Sequence, residues 1–107
     1  MTKQEFIERI NNLGWGFKES EDCCNISNYS QAGEELNIEA EDFESLVYAI
    51  KEEYYNYDVD EHFDMWYRAN RGEPSSVRAL LEDCEYIDQM LEEISNIALI
   101  YISEIED

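Results

Sequence analysis

The sequence predicts an α+β fold: an N-terminal helix, a small antiparallel sheet of two or three strands, then three helices of which the last is long. Three observations carry this. From Ser75 to Ile105 apolar residues recur at Val77, Leu80, Leu81, Cys84, Ile87, Leu91, Ile94, Ala98, Tyr101 and Ile105, the spacing of one helical face. Between Trp15 and Ala40 the apolar residues fall at period two instead. Helical spacing returns at Phe43, and a cap signal at Asp58 divides the chain ahead of the long helix into two shorter ones.

The first helix opens with Thr2 and Glu5, a capping box, and carries an apolar stripe of Phe6, Ile7, Ile10 and Leu13 that ends at Gly14. Trp15, Phe17 and Glu19 begin the first strand. Cys23 to Tyr29 and Leu36 to Ala40 continue the sheet, with Gln31, Ala32 and Gly33 as a turn. Leu36, Ile38 and Ala40 alternate with Asn37 and Glu39, which leaves one sheet face to solvent. Phe43, Leu46, Val47, Ile50 and Tyr54 mark the second helix, ending near Asn56; Glu41, Asp42 and Glu44 suit the positive end of its dipole.

Asp58 and Glu61 cap a third helix whose Val59, Phe63 and Trp66 point inward and which Asn70, Arg71 and Gly72 close. Pro74, Ser75 and Ser76 start the fourth. Winding that helix at roughly 100° per residue turns Glu82, Glu85 and Glu93 away from its apolar stripe, with Asp83, Asp88 and Glu92 at the flanks. From Ile94 to Ser103 the charges stop, and Ile100 points the way Glu82 does. Ile97, Ile100 and Tyr101 therefore need cover on a second side. Either the sheet with Trp15 and Phe17 folds over them, or two copies of the chain pair through them.

The 107 residues make one domain, 1–107, with a single modest core. Asp and Glu total 27 against 7 Lys and Arg, a formal net charge of -20. Charge of that sign opposes direct contact with nucleic acid or an anionic membrane, and it exceeds the magnitude of about 2 to 8 that solubility asks of a small domain. The expected partner is a basic protein surface. Three cysteines, two of them adjacent, and an N-terminus, MTKQEF, without signal-peptide character point to reduced thiols in a cytoplasm. The uncharged run Ile94 to Ser103 is far short of the ~20 residues of a membrane span.

No chemistry-bearing motif emerges. Asn56, Asp58 and Asp60 imitate the opening of a calcium loop, but Glu61 stands where that loop needs glycine and Tyr67 where it needs a bidentate acid. Cys23, Cys24, His62 and Cys84 lack zinc-site spacing, so no metal or cofactor is expected; Cys84 and one of the pair read as small buried hydrophobes. His62, the sole histidine, has no accompanying nucleophile motif and reads as a helix-surface residue beside Asp58 and Glu61. The chain is expected not to be an enzyme.

The acids are more specific. Carboxylates three or four residues apart on a helix are spaced by roughly 4.5 to 6 Å along it, and two such helices side by side can approximate a phosphate track. The candidate partner-binding residues are Asp58, Asp60, Glu61 and Asp64 on the third helix with Glu82, Glu85, Asp88, Glu92 and Glu93 on the fourth. Ile97, Ile100 and Tyr101 are the candidates for self-association.

The segments NIEAEDFESLVYAI, YDVDEHFDMW and PSSVRALLEDCEYIDQMLEEI, over roughly the last two-thirds of the chain, resemble short acidic proteins of phages and mobile elements of Gram-positive bacteria. The most specific part is D-x-D-E-H-x-x-M-W followed by P-S-x-R-x-L-x-x-D. Proteins of that kind include anti-CRISPR and anti-restriction inhibitors, several acting as DNA mimics. The resemblance implies an inhibitor in the cytoplasm of a bacterial host, blocking a nuclease such as a Cas9-type effector by occupying its basic DNA-binding surface. The alternatives are a self-associating structural or adaptor module, and an immunity or antitoxin protein that masks a basic partner.

Overall fold

The structure, a computed structural model, describes residues 1–31, 33–69 and 74–106, with side chains placed for 1–31, 33–64 and 78–106. Its elements run α1 (Lys3–Asn12), β1 (Gly16–Glu19), β2 (Cys24–Tyr29), β3 (Glu35–Ala40), α2 (Phe43–Asn56), α3 (Val59–Ala69) and α4 (Pro74–Ile105). The fold is α+β, with an N-terminal helix, a three-stranded antiparallel meander in the order β1-β2-β3, and then helices ending in a long one.

Local chemistry sets the boundaries. Glu5 N–H donates to the Thr2 hydroxyl at 3.1 Å and Ser45 N–H to the Asp42 carboxylate at 2.7 Å, so each side chain meets an orphan donor at its helix start. Gly14 follows α1 at φ 94°, a left-handed conformation that glycine adopts without a Cβ clash. A Cβ at this position would meet the Asn28 side chain of β2 at 3.3 Å, so chain reversal and sheet contact coincide there.

In the meander Phe17 faces Ile26 and Ile26 faces Ile38, which stacks three apolar side chains across the inner face. On the outer face Asn25 stands opposite Lys18 and Glu39, and donates across to Asn37 at 2.8 Å. Among the described elements the helices pack on the inner face. Helix α2 lies against β2 and β3, α1 against β1, and α4 runs along both helices. One buried cluster joins Phe6 and Ile10 to Trp15, Ile26, Ile38, Leu46, Val47, Ile50 and the α4 residues Ile87, Leu91, Ile94, Ala98 and Ile102. Cys24 and Cys84 are buried and Cys23 is half-buried.

Three expectations on α4 are corrected. Leu81, assigned to the apolar stripe, is 44% exposed, whereas Asp83, assigned to the flank, is buried at 3%. The buried series Leu80, Cys84, Ile87, Leu91, Ile94, Ala98, Ile102 advances by four and three, and it is continuous with Asp83 rather than with Leu81. Among the described elements α3 packs only on α4, so it decides which side of this half is covered. Ile105 also leaves the stripe, 43% exposed at the last turn. The expected closure of α3 at Asn70, Arg71 and Gly72 lies outside the described residues, as do the side chains of Trp66 and Val77.

The uncharged end of α4 is covered by its own chain. Tyr101 packs edge-on to Phe6 at 5.5 Å and to Phe43 at 5.6 Å between ring centroids, and Phe17 meets Phe43 at 6.1 Å. Ile97 is half-buried against the same core. Ile100 alone of the three self-association candidates is exposed.

Candidate functional site

The acids expected to bind a partner occupy two neighbouring helices. On α3, Asp58, Asp60, Glu61 and Asp64 are exposed; on α4, Glu82, Glu85, Glu92 and Glu93 are exposed and Asp88 is half-buried. Asp58 also accepts from Glu61 N–H at 3.1 Å and so caps α3. Glu82 lies 3.4 Å from Arg78, both side chains largely solvated, and Glu93 accepts from Gln89 at 3.4 Å. Neither contact holds its carboxylate out of water.

Asp88 and Glu92 turn toward α2. Their charges, Glu92 foremost, raise the Tyr54 phenol above its ordinary value, which places that ring within their field.

The structure adds residues that sequence reasoning left aside. Glu34, Glu53, Asn56, Tyr57, Asp58, Glu61 and His62 line a cleft of about 270 Å³ where the β2–β3 connection, the end of α2 and the start of α3 meet. An adjoining hollow of about 260 Å³ shares Glu34, Glu53, Tyr57 and His62 and reaches Leu36, Ile38, Ile87 and Leu91 below. Five carboxylates, Glu34, Glu35, Glu53, Asp58 and Glu61, therefore line the two hollows beside aromatic and aliphatic carbon.

His62 is the centre of this region, which corrects its reading as a helix-surface residue. Only 13% of its side chain is exposed. Its Nδ1 lies 2.6 Å from the Tyr57 hydroxyl, and its Nε2 lies 2.8 Å from Glu34, in an electrostatic contact off ideal hydrogen-bond alignment. The Tyr57 and His62 rings also meet edge to face, 5.5 Å apart at 87°. Cys84 of α4 lies near enough to act on the same phenol. The tautomer that suits every contact carries its proton on Nε2, facing the carboxylate, while Nδ1 accepts from the phenol.

A signal for this pair does exist in the sequence. With Asp58 as the cap, Tyr57 stands just before it and His62 at the fourth helical position, the two places that pack together in a hydrophobic staple. No such local rule points to Glu34, which reaches the site from the turn after Gly33, itself at φ 90°. Ser30 holds that turn, its hydroxyl accepting from Glu34 N–H at 3.1 Å.

Chemically, the network keeps protons in place. Burial above all, then Cys84 and the charges of Glu34 and Asp88, push the Tyr57 phenol far above its usual range, so at neutral pH it serves as a donor. Burial likewise raises the Cys84 thiol, the reverse of what a nucleophilic cysteine needs. Among the described residues no group of three or more His, Cys, Asp or Glu is arranged to hold a metal ion, and no helix is long and apolar enough to cross a membrane.

No family model, curated protein or solved structure matches the chain.

Proposed function

We propose that this chain is an anti-defence inhibitor that blocks a bacterial nuclease, a Cas9-type effector foremost, by laying its acidic helices on the basic surface that reads and holds duplex DNA. The mechanism is competition, without bond-making chemistry. The observation that carries it is the distribution of charge. Residues 1–32 hold five acids against three cations, while residues 33–107 hold the other 22 against four. That larger part includes α3 and α4, whose candidate acids are solvated at all but one position.

The scale supports the reading. From Glu82 to Glu93 the helix advances about 16 Å, near half a turn of duplex, and Asp58 to Asp64 at the start of α3 add a shorter row of about 9 Å. A footprint of that size suits the short adjacent motif that such nucleases read through arginine, where duplex recognition begins. A protein that fills it would prevent DNA from docking at all.

The test is displacement of a motif-bearing duplex from a purified, guide-loaded Cas9-type nuclease. The chain should release the DNA and prevent cleavage, and it should be unable to act once the guide–target hybrid has formed. Cleavage unaffected by a large molar excess would reject the proposal.

A further inference from the structure

Among the described elements α3 touches only α4. A polar chain, Tyr57–His62–Glu34, links it to the rest of the molecule. Tyr57 belongs to the junction with α2 and packs against the core, while Glu34 belongs to the turn between β2 and β3. His62 lies within the first turns of α3 and bridges the two, at 2.6 Å and 2.8 Å. Every carboxylate assigned to α3 lies at its capped end, within four residues of this imidazole.

We propose that His62 is a positioning residue for the acidic face of α3: clasped between Tyr57 and Glu34, it holds Asp58, Asp60, Glu61 and Asp64 in fixed register with the carboxylates of α4. This role rests on the DNA-mimic reading. A phosphate track is a rigid array, and a mimic whose two rows move independently must order them at the moment of binding, with a loss of affinity. The clasp removes that loss before the partner arrives. The choice of side chain follows: an imidazole has polar atoms on opposite sides of a flat ring and so can meet a phenol on one side and a carboxylate on the other. A lysine could not accept from the phenol, and an aliphatic residue would leave Glu34 without its contact.

The prediction separates geometry from charge. His62→Ala and Tyr57→Phe leave every carboxylate in place. Both should raise amide exchange over residues 61–69 by about tenfold, the scale of losing one or two hydrogen bonds in a locally opening segment, with the slow amides of β2 and of α4 around Ile94 unchanged. Affinity for a guide-loaded Cas9-type nuclease should fall several-fold, while its slope against salt concentration stays that of the parent, because no charge has been removed. Glu61→Gln, which deletes a charge and keeps the clasp, should lower the slope instead. His62→Gln, whose amide can meet one of the two partners, should fall between parent and His62→Ala.

Unchanged exchange over α3 in both His62→Ala and Tyr57→Phe would overturn the clasp. An equal rise throughout the core would overturn it as well, since the residue would then serve global stability. Loosened α3 amides with parental affinity would overturn the positioning role. A parent chain that displaces no DNA would remove the mimic reading and that role with it, while the exchange data alone would still show whether the clasp anchors α3.

Discussion

Tyr101 sets its ring edge-on to Phe43, the centroids 5.6 Å apart and the planes at 89°. That contact ties the uncharged end of α4 to the start of α2, and Phe6 and Phe17 complete the aromatic group. Edge-to-face pairs add about 0.5 to 1.5 kcal/mol each beyond the area they bury.

Truncating this group should therefore be costly and changing its exposed neighbour should not. Tyr101→Ala is expected to destabilise by about 3 kcal/mol, near the lower end for loss of a large aromatic. Ile100→Glu should stay within about 0.5 kcal/mol, as surface substitutions do. Chemical denaturation gives both values. Light scattering at low and high salt should find a monomer for the parent and for Ile100→Glu; a parent dimer that Ile100→Glu dissociates would restore the pairing alternative.

Asp42 governs an acid limit. Its carboxylate accepts from Ser45 at the start of α2, and that backbone hydrogen bond holds it below the usual carboxylate range. A folded pKa below the unfolded one means that its stabilisation is present above the unfolded value of about 3.9 and is lost as pH falls through the lowered value. Asp42→Ala should thus melt earlier than the parent at pH 7, with the gap closing toward pH 2. A gap independent of pH would assign the effect to helix propensity.

Tyr57 governs an alkaline limit. Its phenol is raised by burial first, so its stabilisation is present below the unfolded value of about 10 and is lost as pH climbs above it. The hydrogen bond to Glu106 raises the Tyr48 phenol in the same direction. Tyr57→Phe should be less stable than the parent at pH 7, having lost its bond to His62, yet lose less stability between pH 9 and 11. Parallel curves for the two proteins would contradict the assignment.

Residues alone reveal whatever local geometry determines. Thr2, Asp42 and Asp58 announce their helices because a cap and the amide that it meets are three residues apart. The meander follows from alternation, and Gly14 and Gly33 supply the positive φ their turns need. Leu81 and Asp83 depart from the expected stripe because the exposure of a helix position depends on the neighbour that covers it, and the contact of α3 is not written in α4. Tyr101 is ambiguous in sequence for the same reason. The acidic candidates are legible as a set, but their division between the outer face of α4 and the cleft at Tyr57 is not. His62 and Glu34, 28 positions apart in the chain, meet only through the tertiary fold.

If these acids stand in for phosphates, binding to a basic partner must weaken as salt rises. Competition between the chain and a motif-bearing duplex for a guide-loaded Cas9-type nuclease should be measured from roughly 50 to 200 mM salt, beside Glu82→Lys, Glu85→Lys and Glu93→Lys combined. The parent's affinity should fall about 100-fold over that range if four or more charge pairs form, and the reversed chain should fold at least as well, with less self-repulsion, yet no longer compete. An affinity indifferent to salt, or a reversed chain that competes as the parent does, would contradict the account.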